Sequence, residues 1–496
     1  MVQRAETVVR ENQLLEFRLD YLRQPAAGLP KIKRFLEVHP EVIGIGTCRR
    51  AANGGKFKGK LSAEIDILIK AAKIGCQLVD LELRSAQALK PSEFNKLRAQ
   101  ANVILSHHDF KATRRLEDTF RQMRLYAADF YKLVTTATTL LDNVTMMKFL
   151  QDQSARHAII GLCMGEQGFI SRVLAVRAGS VFTFASAWPG EETAPGQVTA
   201  RELRDHYRID QVDAATKVYG VAGDPVVHSL SPLMMNAAFR RENVNAVFLP
   251  MHAKSLPDLL ACVREIPIHG LSVTMPYKDE ILEYLDNTDP LTARIGACNT
   301  VVRAHDGKLY GFNTDVIGIV RPLEQRLALQ GAKILVLGAG GAAAAAVFGL
   351  KERGAEVYVL NRTPAAALKL AKRARAKAIK RGDLKKMRFD VIVNATPVGM
   401  GNAKASPLAE KEINTKYLLE MVYNPAETRL VKLARLRGAQ VIGGVEMFVQ
   451  QGARQFEIWT GKPAPVIEMH SVVHNALAVP ENTKNHKHAK AKRKSA

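Results

Sequence analysis

Cysteine is sparse: five residues in 496 (Cys48, Cys76, Cys163, Cys262, Cys298), odd in number, scattered, with no CxxC pair. That excludes a disulfide framework and a structural zinc site, and fits a reducing cytoplasm. Acidic residues are also in short supply, 48 against 71 lysines and arginines, for a net charge of +23. No uninterrupted hydrophobic run predicts a membrane span. The nearest, ILVLGAGGAAAAAVFGL at 334–350, carries glycines and follows a strand pattern. The first residues, MVQRAETVVRENQ, have no apolar segment behind their charges and are too acidic for a transit peptide, so no export signal is expected. What is present is a globular composition, 47% hydrophobic and 24% charged. The length predicts two or three domains.

The excess of basic charge is uneven. Residues 369–388 carry ten Lys/Arg and one acid, which reads as an exposed helix face whose field attracts anionic ligands. The end of the chain, 480–496, is basic without apolar periodicity, predicting a disordered tail whose contact with nucleic acid is nonspecific at most.

Up to about residue 200 short apolar strands alternate with helix-like stretches: LLEFRLDYL, EVIGIGTCR, CQLVDLEL, NVILSHHDF, ADFYKLVTT, HAIIGLCMG and SVFTFAS. Seven such units predict an N-terminal (β/α)8-type barrel lacking its first strand, which would precede residue 1. Catalytic groups of such barrels gather at the C-terminal strand ends, where Glu16, Arg18, Arg49, His108 and Lys132 fall. A lysine held in apolar surroundings loses its preference for the ammonium form and attacks a carbonyl as the amine, giving an imine. A nearby histidine then moves protons at the adjacent carbon, and arginines hold a substrate carboxylate.

The segments EFRLDYL, TCRRAANGG, SHHDF, ADFYKLVTTAT, LCMGEQGFISRVL and TAPGQ resemble the type I 3-dehydroquinate dehydratases over nearly all of residues 5–205. The resemblance implies that Lys132 forms the Schiff base and His108 is the general acid/base. It makes Glu16, Arg18, Arg49, Arg172, Thr193 and Gln197 substrate contacts. One position departs from the family pattern: where a glutamate usually precedes two glycines and helps orient the histidine, this chain has Asn53 before Gly54 and Gly55. Asparagine hydrogen-bonds but cannot stabilise an imidazolium by charge.

Residues 331–363, GAKILVLGAGGAAAAAVFGLKERGAEVYVLNRT, read strand, glycine turn, small-residue helix, strand. Gly338, Gly340 and Gly341 let the backbone approach a pyrophosphate at the helix N-terminus. The second strand ends in Asn361-Arg362-Thr363 instead of an acid, which suits a 2′-phosphate and predicts NADP. Upstream, VAGDPVVHSLSPLMMNAAF, GLSVTMPYKDEI, IGACNTVV and GFNTDVIG each set a polar cluster after an apolar run. Lys278 and Asp315 are the candidates to share the proton of a substrate hydroxyl, and Ser229, Ser231, Asn299 and Thr300 to bind a polyhydroxy acid.

With NATPVGM, YNPAET and GGVEMFVQQGARQF, residues 217–478 resemble shikimate dehydrogenase. The resemblance implies a catalytic pair of Lys278 and Asp315. Ser229, Ser231, Thr274, Asn299, Tyr423 and Gln451 would contact substrate. Gly338, Ala339, Gly340, Gly341, Ala342, Asn361, Arg362, Thr363, Met421 and Gly444 would contact NADP. The expected domains are a barrel at 1–210, a substrate-binding α/β domain at 217–325 completed by helices at 445–478, and a Rossmann-like domain at 326–444. The two resemblances adjoin in the order of the bifunctional dehydratase–dehydrogenase enzymes, which implies 3-dehydroquinate and 3-dehydroshikimate as substrates and no metal. No sequence patch marks an oligomer interface. Two other readings stay open: a reductase with an ineffective dehydratase half, and a metabolite-sensing regulator.

Overall fold

The computed structural model describes residues 1–226 and 229–478, so the expected tail at 480–496 lies outside the described residues. The chain divides into two compact units, Met1–Ala215 with Pro257–Ile266, and Thr216–Leu256 with the chain from Pro267 on.

The first unit holds a six-stranded, all-parallel sheet in chain order: β1 (Leu14–Arg18), β2 (Ile43–Thr47), β3 (Leu78–Glu82), β4 (Asn102–His108), β5 (Phe130–Thr136) and β6 (Ile159–Met164). Between strands run helices such as Pro25–Val38, Leu61–Lys73 and Leu141–Gln153, whose buried Phe35, Leu68 and Leu150 form apolar stripes. Because side chains alternate along a strand, register decides which residues share a face. Arg18 lies opposite Thr47, Thr47 opposite Asp80, Glu82 opposite Ser106, Ser106 opposite Lys132, and His108 opposite Val134. The polar residues therefore stand on one face, above a floor of Ile45, Leu78, Ile104 and Ile160.

The seventh expected strand, SVFTFAS, is not one. Val181 N donates to Ile159 O at 2.9 Å, and Ser186 bridges Thr199, but no regular ladder forms. Side chains take over its backbone groups: Ser180 Oγ accepts from Gly161 N and donates to Phe182 O, and Arg172 donates to Phe184 O. Its alternating aromatics are satisfied by packing, with Phe182 and Phe184 lying on the apolar floor.

The second unit holds two sheets. One is mixed, from β7 (Lys217–Gly223), β8 (Ala246–His252), β9 (Ile268–Val273), β10 (Asn287–Thr288), β11 (Thr300–Arg303) and β12 (Leu309–Phe312), in the order β10-β12-β11-β9-β7-β8. Phe456 and Trp459 of the helix Gly444–Thr460, and Met469 and Val473 of Val466–Ala478, share a core with Tyr219, Phe239 and Phe248. The other is all-parallel: β13 (Lys333–Leu337), β14 (Glu356–Leu360), β15 (Lys377–Ala378), β16 (Phe389–Asn394), β17 (Thr415–Glu420) and β18 (Gln440–Ile442), in the order β15-β14-β13-β16-β17-β18. That is the doubly wound order, with its switch point between β13 and β16, where ligands enter at the carboxyl strand ends.

Candidate active sites

In the first unit, Lys132 is 4% exposed, yet its surroundings are not the apolar ones its strand predicts. Its Nζ donates to Asp80 Oδ2 at 3.0 Å and lies 3.7 Å from the centre of the Phe184 ring, a carboxylate and a π face that both attract an ammonium. Asp80 also accepts from Arg49 at 2.8 Å and from Ser106 Oγ at 2.8 Å. Burial opposes its charge, but Lys132 and Arg49 outweigh burial and hold the carboxyl well below its ordinary range. His108 sits two residues beyond Ser106 on the same face, its Nδ1 2.9 Å from Glu82 Oε2 and its backbone N donating to Glu82 Oε1 at 3.0 Å. Burial, then the Arg49 guanidinium, push the imidazole down to about 4 against the pull of Glu82, which favours the neutral ring.

The expected substrate contacts surround this core. Glu16 accepts from Thr47 Oγ1 at 2.7 Å, and Arg18 makes a two-toothed pair with Asp20 at 2.9 and 2.8 Å. Arg172 is 1% exposed, with no acid paired to it among the described residues. It donates to Phe184 O, and its Nε finds no partner there. Burial pushes this guanidinium down to about 10. Thr193 donates from N and Oγ1 to Gln197 Oε1, and the loop carrying them meets Arg172 through Pro195 O. Sequence reading passed over Asp80, Glu82, Ser106 and Phe184. The acids of VDLE sit two apart, so both fall on the same face of β3, but nothing in the sequence says which face is buried. Asn53 turns its amide onto Ser85 Oγ at 3.0 Å, and Ser85 donates to the buried Glu64.

In the second unit, Lys278 Nζ donates to Asp315 Oδ2 at 2.6 Å, and Asn299 Nδ2 donates to Oδ1 at 2.8 Å. Asp315 opens the helix Asp315–Glu324, where a negative charge complements the dipole. Asn299 cannot turn freely: its Oδ1 accepts from Thr314 N and Thr300 Oγ1, both at 2.8 Å. Gln451 Oε1 lies 3.5 Å from Asn299 Nδ2, and Tyr423 stacks on Phe448 of the same helix, 4.5 Å between ring centres. Ser229 Oγ accepts from Ser231 N, and Thr274 N donates to Ala222 O at the end of β7. Gln455 and Thr314 brace this cluster and were not anticipated: Gln455 Nε2 reaches Ser272 Oγ, Asn299 O and Thr300 Oγ1 within 3.1 Å.

The glycine loop follows β13. Gly338 has φ +116°, and a Cβ there would stand 3.0 Å from Ala395 O. A Cβ on Gly340, ahead of the helix Gly341–Glu352, would meet nothing within 4 Å, which leaves open backbone where a pyrophosphate needs it. Gly341 brings the loop beside the Lys278–Asp315 cluster: its Cβ would lie 3.2 Å from Ala297 and 4.0 Å from Lys278 Cδ. Ala339 and Ala342 flank this turn, half-buried. Arg362 at the end of β14 is exposed and makes no hydrogen bond or ion pair among the described residues, while Asn361 Nδ2 caps Thr363 O at 3.1 Å. Met421 follows β17, its N donating to Asn394 O, and Gly444 approaches Val422 O so closely that a Cβ would stand 2.4 Å away. These features fit a phosphorylated dinucleotide.

Family models match in the same succession. That for type I 3-dehydroquinase covers 1–214, the shikimate dehydrogenase substrate-binding domain 221–301, shikimate/quinate 5-dehydrogenase 322–414, and the shikimate 5′-dehydrogenase C-terminal domain 444–474. The chloroplastic bifunctional 3-dehydroquinate dehydratase/shikimate dehydrogenase of Arabidopsis thaliana is 35% identical over 475 residues, spanning 91% of this chain and 78% of that one. The shikimate dehydrogenase (NADP(+)) of Pyrococcus furiosus is 39% identical over 269 residues, 53% of this chain and 96% of that one. The shikimate 5-dehydrogenase of Thermus thermophilus, solved in complex with NADP(H) and shikimate, aligns with a TM-score of 0.50 at 35% identity, covering 53% of this chain and all of that one.

Proposed function

Because the chain belongs to the bifunctional 3-dehydroquinate dehydratase/shikimate dehydrogenase family, we propose that its two lysine–aspartate pairs carry the two reactions, one in each unit. The enzyme dehydrates 3-dehydroquinate to 3-dehydroshikimate and reduces that product to shikimate with NADPH. The observation that supports the assignment of residues is that each unit buries one aspartate against one lysine, at 3.0 Å for Lys132–Asp80 and 2.6 Å for Lys278–Asp315.

In the first unit Lys132 Nζ, having given up a proton, adds to the substrate ketone, and loss of water from the adduct gives an iminium. His108 takes a proton from the carbon beside it, the electron pair passes to the iminium nitrogen, and the β-hydroxyl leaves with a proton returned by His108. Hydrolysis frees the lysine, so the sum is one water lost. Arg172 takes the substrate carboxylate, with Glu16, Arg18, Arg49, Thr193 and Gln197 placing the ring hydroxyls.

In the second unit Gly338, Gly340, Gly341 and Arg362 hold NADPH, with Ala339, Ala342, Asn361, Thr363, Met421 and Gly444 around it. The cofactor supplies a hydride when bound. Lys278 and Asp315 deliver a proton to the oxygen of the reduced ketone, and Asn299, Gln451, Ser229, Ser231, Thr274 and Tyr423 hold the substrate ring. No helix among the described residues is long and apolar enough to cross a membrane. All five cysteines are free and buried, which supports a reducing, cytoplasmic setting.

Borohydride trapping with 3-dehydroquinate and peptide mass spectrometry tests the first half, and NADPH oxidation with 3-dehydroshikimate the second. The expected result is an adduct on Lys132 that Lys132→Ala abolishes without loss of reductase activity. An adduct elsewhere, or none in a chain that turns over, removes the lysine from its role.

A further inference from the structure

An anionic partner favours the proton transfers of a histidine, and Asn53, where the family usually has glutamate, makes no hydrogen bond to His108 among the described residues. The Asn53 amide is committed to Ser85 Oγ at 3.0 Å, in a buried group with Glu64 and Arg50. The histidine instead meets Glu82 twice: Nδ1 lies 2.9 Å from Oε2, and the backbone N donates to Oε1 at 3.0 Å. Glu82 is 4% exposed and is held in turn by Ser106 Oγ at 3.1 Å, with Arg49 Nε 3.6 Å away.

We propose that Glu82 is the positioning residue of the dehydratase, fixing the tautomer of His108 and balancing its imidazolium in place of the glutamate that this chain lacks at Asn53. The proposal rests on the assignment of His108 as the proton-transfer group. With Nδ1–H donating to Glu82, the lone pair falls on Nε2, the only ring nitrogen left to act as a base. When Nε2 takes the substrate proton, Glu82 faces a new positive charge across 2.9 Å. The charges on this face support the assignment. Asp80 and Glu82 are met by Arg49 and Lys132, so the resting site balances with a neutral histidine. Burial opposes the charge of Glu82, but His108 and Arg49 keep its carboxyl below the ordinary range, so it is the anion at working pH. Two anchors on one carboxylate also fix the ring about both of its torsions, as a single bond to a loop asparagine does not.

Three measurements on the full-length chain decide the matter. Glu82→Gln keeps shape and hydrogen-bonding capacity but removes the charge. It is expected to lower dehydratase kcat about 10²-fold with KM little changed, and to shift the acid limb of the kcat–pH profile, to which Arg49, Asp80 and Lys132 also contribute. Glu82→Asp is expected to recover part of that loss, and Asn53→Ala to leave kcat within about threefold. Far-UV circular dichroism and the thermal melt of each variant report that the first unit has folded, and the reductase rate that the second has. Nitrogen-15 shifts of the His108 ring are read without turnover: Nδ1–H in the parent and mixed tautomers in Glu82→Gln are expected. A parent kcat and pH profile in Glu82→Gln, or a ring protonated on Nε2 in the parent, overturns the proposal. A chain whose ring shifts are as expected but which does not dehydrate 3-dehydroquinate leaves the positioning intact and overturns the reading of His108.

Discussion

Replacing Asp315 by asparagine tests the reductase assignment most sharply, because the substitution preserves volume and removes only a charge and one acceptor. In the parent, Oδ2 accepts from Lys278 at 2.6 Å and Oδ1 from Asn299 Nδ2 at 2.8 Å. An asparagine at 315 must present its NH2 to one of these two donors. Asn299 cannot rotate to accept it, since its Oδ1 is held by Thr314 N and Thr300 Oγ1. A charge-assisted hydrogen bond is lost, worth about 1.5–3 kcal/mol. The greater effect is on the chemistry: a positioned acid/base contributes about 10²–10⁴ in rate, or about 3–5 kcal/mol of barrier. Asp315→Asn is therefore expected to lower kcat for NADPH-dependent reduction of 3-dehydroshikimate by about 10³-fold. Dehydratase turnover, carried by the other unit, serves as the internal control and should be unchanged. A reductase kcat within about threefold of the parent, with normal dehydratase rates, refutes the shared-proton reasoning and leaves Asp315 a helix-terminal residue.

Further predictions follow from groups whose surroundings are unbalanced. Arg172→Met removes a buried guanidinium that has no acid partner among the described residues, so the melting temperature should hold or rise while KM for 3-dehydroquinate rises about 10²-fold. A fall in both stability and affinity contradicts that account. Arg362→Ala should raise KM for NADPH about 10- to 100-fold and leave that for NADH unchanged, measured by cofactor titration of the reductase. Equal losses with both cofactors place Arg362 away from the 2′-phosphate. Asp80 and Glu82 both ionise below their ordinary range in the folded chain, so their stabilisation is complete above about pH 5 and is lost as pH falls through the lower folded values. Chemical denaturation at successive pH values should show Asp80→Asn losing less stability than the parent over that fall, and equal losses remove Asp80 as a source of acid sensitivity.

The sequence made the lysines legible because each breaks a local rule. Lys132 is a charge inside an apolar strand, and Lys278 follows an apolar run and a proline. The glycine turn was legible for the opposite reason, since βα grammar around Gly338 agrees at every level and the observed strand order is the doubly wound one. Asp80 and Glu82 hid in plain view. VDLE reads as an ordinary half-exposed strand, and only the structure reveals that all five residues of β3 are buried and that their acids face the lysine and histidine. SVFTFAS misled for a related reason: aromatic alternation marks a segment with one apolar side, and packing Phe182 and Phe184 on the floor satisfies it without a ladder. Long-range partners, such as Gln455 for Asn299 across 156 positions, have no local signature at all.

In the proposed assignment one lysine acts as a nucleophile and the other as a proton donor, although each is paired with an aspartate. The difference lies in who else holds the aspartate. Asp80 keeps a second cation, Arg49, at 2.8 Å, and a hydroxyl, Ser106 Oγ, at 2.8 Å. When Lys132 gives up its proton, Asp80 still keeps a charged partner in Arg49, which it then shares with Glu82, so losing the ammonium does not leave that carboxylate alone. The Asp315 carboxylate has, besides Lys278, the neutral amide of Asn299 and no second cation among the described residues. If Lys278 lost its proton to solvent there, a carboxylate 4% exposed would stand with no counter-charge. On the proposed assignment this pair passes a proton to a substrate oxygen, and the Lys278 side chain, 21% exposed, meets the solvent that resupplies it. Arg49 is then the deciding group. In Arg49→Met, Asp80 should bind the Lys132 ammonium alone, and iminium formation, read as the rate of borohydride-trapped adduct, should slow about 10-fold or more even at saturating substrate. Trapping at the parent rate would mean that the second cation does not release the nucleophile.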